Sequence, residues 1–199
     1  MSKLSRSDLW SLEEYSEQRA AFRAEVMEHK KSRQVTLGEN ARLHFEDAIT
    51  IRYQVQEMLR IEKVFEASGI QEELDAYNPL IPDGHNWKAT FMLEYPDPGV
   101  RQQKVVELLG IEHKVWLAVN GQEKVFAIAD EDLERSDGER TSTVHFMRFE
   151  LTATMVADVL AGAVIHAGVD HDRYAVDRFE LAEEVRMSLS NDLVPGRLN

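Results

Sequence analysis

The sequence predicts an α+β fold: a mostly antiparallel sheet of about five or six strands, with an N-terminal helix and packing helices. Three observations carry this. Ser11 followed three residues later by Glu14 is a capping box that opens a helix. "NWKATFMLEY" and "TVHFMRFEL" alternate apolar and polar residues at the period of a strand. Asn120-Gly121 lies between two alternating runs, the strongest short-range signal for a hairpin.

From Ser11, the positions Leu12, Tyr15, Arg19, Phe22 and Val26 recur at helical spacing, which predicts a helix to about Lys31 that ends before Gly38. "ARLHFEDAITIRYQVQ" predicts a β-hairpin turning near Glu46-Asp47-Ala48. "EMLRIEKVFEASG" predicts a short helix closed by Gly69. "IQEELDAYNPLIPDGHN" reads as a connector broken by Pro79, Pro82 and Gly84. In the strand that follows, Trp87, Ala89, Phe91, Leu93 and Tyr95 share one face, and Lys88, Thr90, Met92 and Glu94 the other. Pro96 and Pro98 end it, and a helix is expected from near Gly99 to Leu109.

After the Asn120-Gly121 hairpin comes a charged loop, "DEDLERSDGERTS", and then the strand "TVHFMRFEL". "TATMVADVLAGAVIHAG" predicts an apolar helix capped by Gly168, with Asp170 and His171 at its end. "DRFELAEEVRMSLSNDL" predicts a last helix on the outside. The expected organisation is a single α+β domain over 1–175 and a C-terminal helical extension over 176–199.

The chain has 199 residues, 43% of them apolar, enough to bury a sizeable core. Its 36 Asp and Glu outweigh 23 Lys and Arg, for a formal charge of −13. So acidic a chain repels phosphate backbones, so no nucleic-acid partner is expected. With no cysteine, disulfides, thiolate nucleophiles and cysteine-held iron–sulfur clusters are excluded. The opening MSKLSRSDLWSLEE lacks an apolar core of signal-peptide length, and no stretch approaches the roughly 20 apolar residues that cross a bilayer. A cytoplasmic protein without membrane partners is the expectation.

Dinucleotide, P-loop, nucleophile-elbow and zincin motifs are missing. The chemistry therefore has to come from a surface. On the expected hairpin Arg52, Gln54 and Gln56 project together with Thr50, opposite Ile51, Tyr53 and Val55. Glu94 and Arg148 stand on the polar faces of the later strands, beside Lys88 and Glu150. Gathered on one sheet, Arg52, Gln54, Gln56, Glu94 and Arg148 form a candidate ligand-binding patch; the competing reading is a solvated sheet face. Glu57, Glu62 and His145 are the candidate metal ligands, because carboxylates with a histidine suit iron, manganese or zinc. His145 shares the apolar side of its strand with Met147, Phe149 and Leu151, where a histidine is usually a satisfied core residue.

The strings "QVQEMLRIEK", "QEELDAYNPLIPDG", "GIEHKVW", "AIADEDLERS" and "TSTVHFMRFEL" resemble the bacterial family DUF3501, over nearly the whole chain. The resemblance implies no activity and no catalytic residue. It does imply a setting, since genes of this family accompany rubrerythrin-type di-iron proteins and cysteine-rich iron–sulfur oxidoreductases. The expectation that follows is a self-associating accessory protein beside a redox partner protein in oxidative stress or electron transfer. The alternative is a small-ligand or metal enzyme on the polar sheet face, with Arg52 holding an anion and Glu57, Glu94 and His145 handling protons.

Overall fold

The computed structural model describes residues 3–195. The fold is α+β and antiparallel, as the sequence predicts, with nine strands divided between two sheets. The five-stranded sheet has the order β1 (Gln34–Leu37), β2 (Ala41–Glu46), β3 (Asn86–Leu93), β7 (Val144–Glu150), β6 (Ile128–Ala129). The four-stranded sheet has the order β5 (Val125–Phe126), β4 (Val115–Val119), β8 (Ile165–His171), β9 (Tyr174–Glu180). The chain changes sheets at Ala127: Phe126 before it pairs with β4, Ala127 N–H still donates to Val115 O, and Ile128 and Ala129 after it pair with β7.

Between the sheets lies the main core. Leu43, Phe45, Trp87, Phe91, Met147 and Phe149 from the larger sheet meet Val115, Leu117, Ile165 and Val169 from the smaller one. Trp87, Ala89, Phe91, Leu93 and Tyr95 all belong to this core, so the expected face of β3 holds. Two helices close it: α5 (Ala153–Leu160) through Met155, Val156 and Val159, and α6 (Glu183–Ser190) through Val185 and Leu189. The remaining helix of the later chain, α4 (Pro98–Glu107), is where the sequence places it.

Three further helices stand to one side: α1 (Leu12–Lys31), α2 (Ala48–Glu62) and α3 (Ala67–Tyr77). The capping box at α1 is formed as expected: the Ser11 hydroxyl accepts from Glu14 N–H and the Glu14 carboxylate from Ser11 N–H. Ile51, Val55, Leu59, Leu74 and Ile81 form a second, smaller core, and Tyr15, Phe22 and Val26 a third beneath α1. Among the described residues no helix is long and apolar enough to cross a membrane.

Several local expectations are corrected. The segment 48–56 is the start of α2 and not a second hairpin strand. Asp47, extended at φ −150°, accepts through Oδ1 from the backbone N–H groups of Ile49 and Thr50, and Thr50 Oγ1 accepts from Asp47 N–H. That closed cap makes a helix start of what reads as a turn. The helix ends at Lys63, in the left-handed region at φ 54°, and not at Gly69. Gly69 lies inside α3, where an added Cβ would come within 2.7 Å of Val64. The expected connector is thus largely helical, with Ile70, Leu74 and Tyr77 turned to the second core.

The apolar run after α5 is a strand, because Ala161 and Gly162 end the helix and Ile165, Ala167 and Val169 alternate inward. Gly168 caps nothing; a Cβ there would fall 2.2 Å from the Trp116 ring that lies across it. Asp170 and His171 therefore sit on β8, where Asp170 accepts from Trp116 Nε1 at 2.8 Å and from Lys124 at 2.6 Å. At the C-terminal end, β9 crosses the 175/176 boundary, and Val185, Leu189 and Leu193 lie in the main core and not outside it.

One buried ion cluster joins these parts. Arg33, 2% exposed, donates to Phe45 O and Glu46 O, to the Ser188 hydroxyl, and to Asp192 at 2.5 Å. Asp47 also faces its guanidinium at 3.3 Å and contacts His29 at 2.6 Å. With two carboxylates sharing one buried arginine, burial outweighs Arg33 and pushes the Asp192 carboxyl up to about 6. A carboxyl raised on folding contributes stability in full below its unfolded value, near 3.8, and that contribution is lost as pH rises through about 6. Wild-type stability should therefore fall by about 2 kcal/mol relative to Asp192→Asn between pH 4 and 7. Urea unfolding of both proteins across that range measures the difference; parallel pH profiles would contradict the assignment.

Candidate functional site

The outer face of the five-stranded sheet is polar, and cross-strand register sets its rows. Glu46 pairs with Lys88, Lys88 with Arg148, and Arg148 with Ile128. In the next row His44 pairs with Thr90 and Thr90 with Phe146. Glu46 is buried and its carboxylate accepts from the Thr50 and Thr90 hydroxyls, each at 2.6 Å. Thr50 lies in the first turn of α2, so this contact ties the helical part to the sheet's outer face. His44 is pushed below the ordinary imidazole range chiefly by burial.

Where the helical part meets this face, a cleft of ≈ 230 Å³ opens, lined by Pro79, Leu80, Lys88, Glu131, Asp132, Phe146, Met147 and Arg148. Arg148 is neutralised inside it. Its Nε and Nη2 donate to Glu131 at 2.8 Å each, and Nη1 to Glu150. Those bonds hold Glu131 below the usual carboxylate range. Asp132 is similarly held low by Arg135, which donates to both its oxygens at 2.7 Å. Lys88 is different. It is half-buried, and among the described residues its amine makes no ion pair and no hydrogen bond. Burial first, and Arg148 second, hold its ammonium below the ordinary lysine range.

Of the expected ligand patch, Arg148 stands on the sheet's outer face, with Lys88, Thr90 and Glu150 beside it, whereas Arg52, Gln54 and Gln56 leave that face because they are helical. Arg52 lines a separate cleft of ≈ 630 Å³ beside Lys3, Trp10 and Glu25, with its guanidinium 4.0 Å from the centre of the Trp10 ring. Gln54 lies beside the Tyr77 hydroxyl. Gln56 is buried, accepting from Trp10 N–H at 2.7 Å and so pinning the N-terminal segment to α2. Glu94 lies exposed past the end of β3, 3.1 Å from Arg42. The alternation of residues 51–55 hid a helix, and the one member of the patch in the cleft is Arg148.

The metal candidates do not converge either. Both Glu57 oxygens are occupied, by the Tyr15 hydroxyl at 2.6 Å and by Arg19 at 2.7 and 2.9 Å, which lowers its carboxyl to about 2. Glu62 is exposed at the far end of α2, where its charge adds to burial in raising Glu73. His145 is fully buried, with Nδ1 2.6 Å from Asp130 and Nε2 2.8 Å from Thr141 and 3.1 Å from Ser142 O. Neither ring nitrogen is open to a metal. Among the described residues no group of three His, Asp or Glu side chains is placed to hold an ion, and no metal-dependent step is derived.

His145 instead anchors the charged loop 130–143. Thr141 donates onward to Glu112 at 2.9 Å, which also accepts from Ser136 at 2.7 Å. Asp130, with φ 56°, accepts from His145, Phe146 N–H and Arg135. This chain fixes the stretch that presents Glu131 to Arg148. Sequence reasoning missed Lys88 as a site residue; its signal was a lysine on a strand facing an arginine one strand over.

The family model "Protein of unknown function (DUF3501)" matches residues 3–193. A solved structure, a novel protein of unknown function from Burkholderia pseudomallei, is 48% identical and superposes with a TM-score of 0.93, over 97% of this chain and 100% of that one. No curated protein matches.

Replacing His145 by Leu removes the hub of the loop's network and takes from Asp130 the shortest of its three hydrogen bonds, leaving Arg135 and the Phe146 N–H. The expected cost is about 3 kcal/mol in urea unfolding, with faster amide hydrogen exchange across 130–143. Unchanged exchange in that loop would show that the network does not hold it.

Proposed function

The chain belongs to the DUF3501 family, and from that premise we propose that it binds a small organic molecule in the cleft between Leu80 and the outer face of the larger sheet. One observation carries this: among the described residues Lys88 makes no ion pair and no hydrogen bond, in a cleft whose other charges are paired. Arg148 is matched by Glu131 and Glu150, and Asp132 by Arg135. A net anionic ligand gains little from so balanced a set. The walls are apolar, formed by Pro79, Leu80 and Phe146. Such a site suits a compact, uncharged ligand whose apolar body packs on Leu80 and Phe146 and whose carbonyl oxygen faces Lys88. This develops the small-ligand alternative and moves it from Arg52 and the glutamines to Lys88. The redox setting and self-association stay expectations of the family resemblance, to which no side chain of the cleft adds.

Benzamide is a suitable probe: an aromatic body with a carbonyl acceptor and no reactive electrophile. Titration should give saturable shifts of the Phe146 and Met147 amide signals in nuclear magnetic resonance spectra, lost in Leu80→Arg, which fills the cleft. Absent shifts, or shifts that persist in Leu80→Arg, would contradict the site.

A further inference from the structure

Resting on that reading of the cleft, we propose that Lys88 is a nucleophilic lysine that captures a small aldehyde or ketone there as an imine. The amine has the two conditions that make a lysine reactive, removal from water and an adjacent cation. It is half-buried on β3, and Arg148 is its direct partner in the β3–β7 register. The carboxylates around it are committed elsewhere. Glu131 and Glu150 are held by Arg148, Glu46 by Thr50 and Thr90, and Asp83 by Asn86 and the His85 N–H. Three other lysines are paired, Lys31 with Glu28, Lys104 with Glu107 and Lys124 with Asp170, each within 2.6 Å, and the partly buried Lys30 lies over the Tyr53 ring, 6.0 Å from its centre, and not in this cleft. Burial, with Arg148 second, outweighs the opposing pull of Glu131, Asp83 and Glu150 and shifts Lys88 toward the uncharged amine, the form with a free electron pair.

The step balances without an oxidant or reductant. The Nζ electron pair attacks the carbonyl carbon, and the C=O π pair moves to oxygen. One amine proton is transferred to that oxygen, giving a neutral carbinolamine. Protonation of its hydroxyl by solvent expels water as the nitrogen pair forms the C=N bond. The protonated imine then carries one positive charge beside Glu131, which the Glu131–Arg148 pair holds ionised within the same cleft. The apolar wall of Pro79, Leu80 and Phe146 limits access of bulk water to the C=N bond.

The test uses the full chain with benzaldehyde and cyanoborohydride at neutral pH, followed by peptide mapping. Benzaldehyde matches benzamide in size and acceptor, and differs in forming an imine. Among the eight lysines of the chain, Lys88 should carry most of the benzyl adduct. Lys88→Arg should remove that adduct, and Leu80→Arg should suppress it with Lys88 still in place. Circular dichroism checks that both variants fold. Adducts spread over Lys31, Lys63 and the other exposed lysines, or a Lys88 adduct indifferent to Leu80→Arg, would overturn the proposal. If benzamide binds and benzaldehyde leaves Lys88 unmodified, the imine falls and the ligand site stands. If neither engages the cleft, both fall.

Discussion

Arg33 and Asp47 form the joint on which the arrangement of this protein depends. Arg33 is buried at the junction of α1 and β1, and its guanidinium reaches the end of β2, the start of α2 and the C-terminal helix together. Its charge could not be buried without the carboxylates of Asp47 and Asp192 and the carbonyls that complete its hydrogen bonds. Asp47 does two jobs at once. One oxygen caps α2, and the other faces Arg33 and His29. The chain therefore leaves β2 as a helix, in a direction set by buried hydrogen bonds at both ends of the turn.

That direction gives the outer sheet face its character. An antiparallel sheet ordinarily leaves one face to water. Here the first turn of α2 reaches Glu46 through Thr50, and Leu80, following α3, comes down beside Lys88 and Phe146. Part of a polar face is thereby roofed. Groups that tolerate burial find partners under the roof: Glu46 takes two hydroxyls, and Arg148 takes two carboxylates. Lys88 is half-buried and, among the described residues, makes no ion pair, and the His44 Nε2 on the same face is buried without a hydrogen-bond partner; both are the local cost of covering this face.

Much of the fold was legible. The period-two strands β3 and β7, the capped helix α1 and the Asn120-Gly121 turn, with φ 46° and 76° at its two residues, all announce themselves in local pattern. What misled was degenerate spacing. Ile51 and Val55 are two strand repeats apart and equally one helical turn apart; only Leu59, four residues further, and the Asp47–Thr50 cap separate the readings. Gly168 resembled a helix cap because its requirement is tertiary: space for the Trp116 ring on the neighbouring strand. The candidate site suffered for the same reason, since Arg52, Gln54 and Gln56 were aimed by a strand that is a helix. Lys88 and Arg148 were correctly placed on one face, but the roof of Pro79 and Leu80 comes from a segment that reads as loop.

The central claim is that folding half-buries Lys88 beside Arg148 and leaves Glu131, Asp83 and Glu150 near its amine but outside ion-pair distance. The direct measurement is a titration of the lysine side chains by carbon-13 resonance of their Cε atoms, with Lys88→Arg assigning the signal. Lys88 should lose its proton at lower pH than the other seven lysines. A Cε signal for Lys88 that titrates together with those of exposed Lys31 and Lys63 would contradict the account.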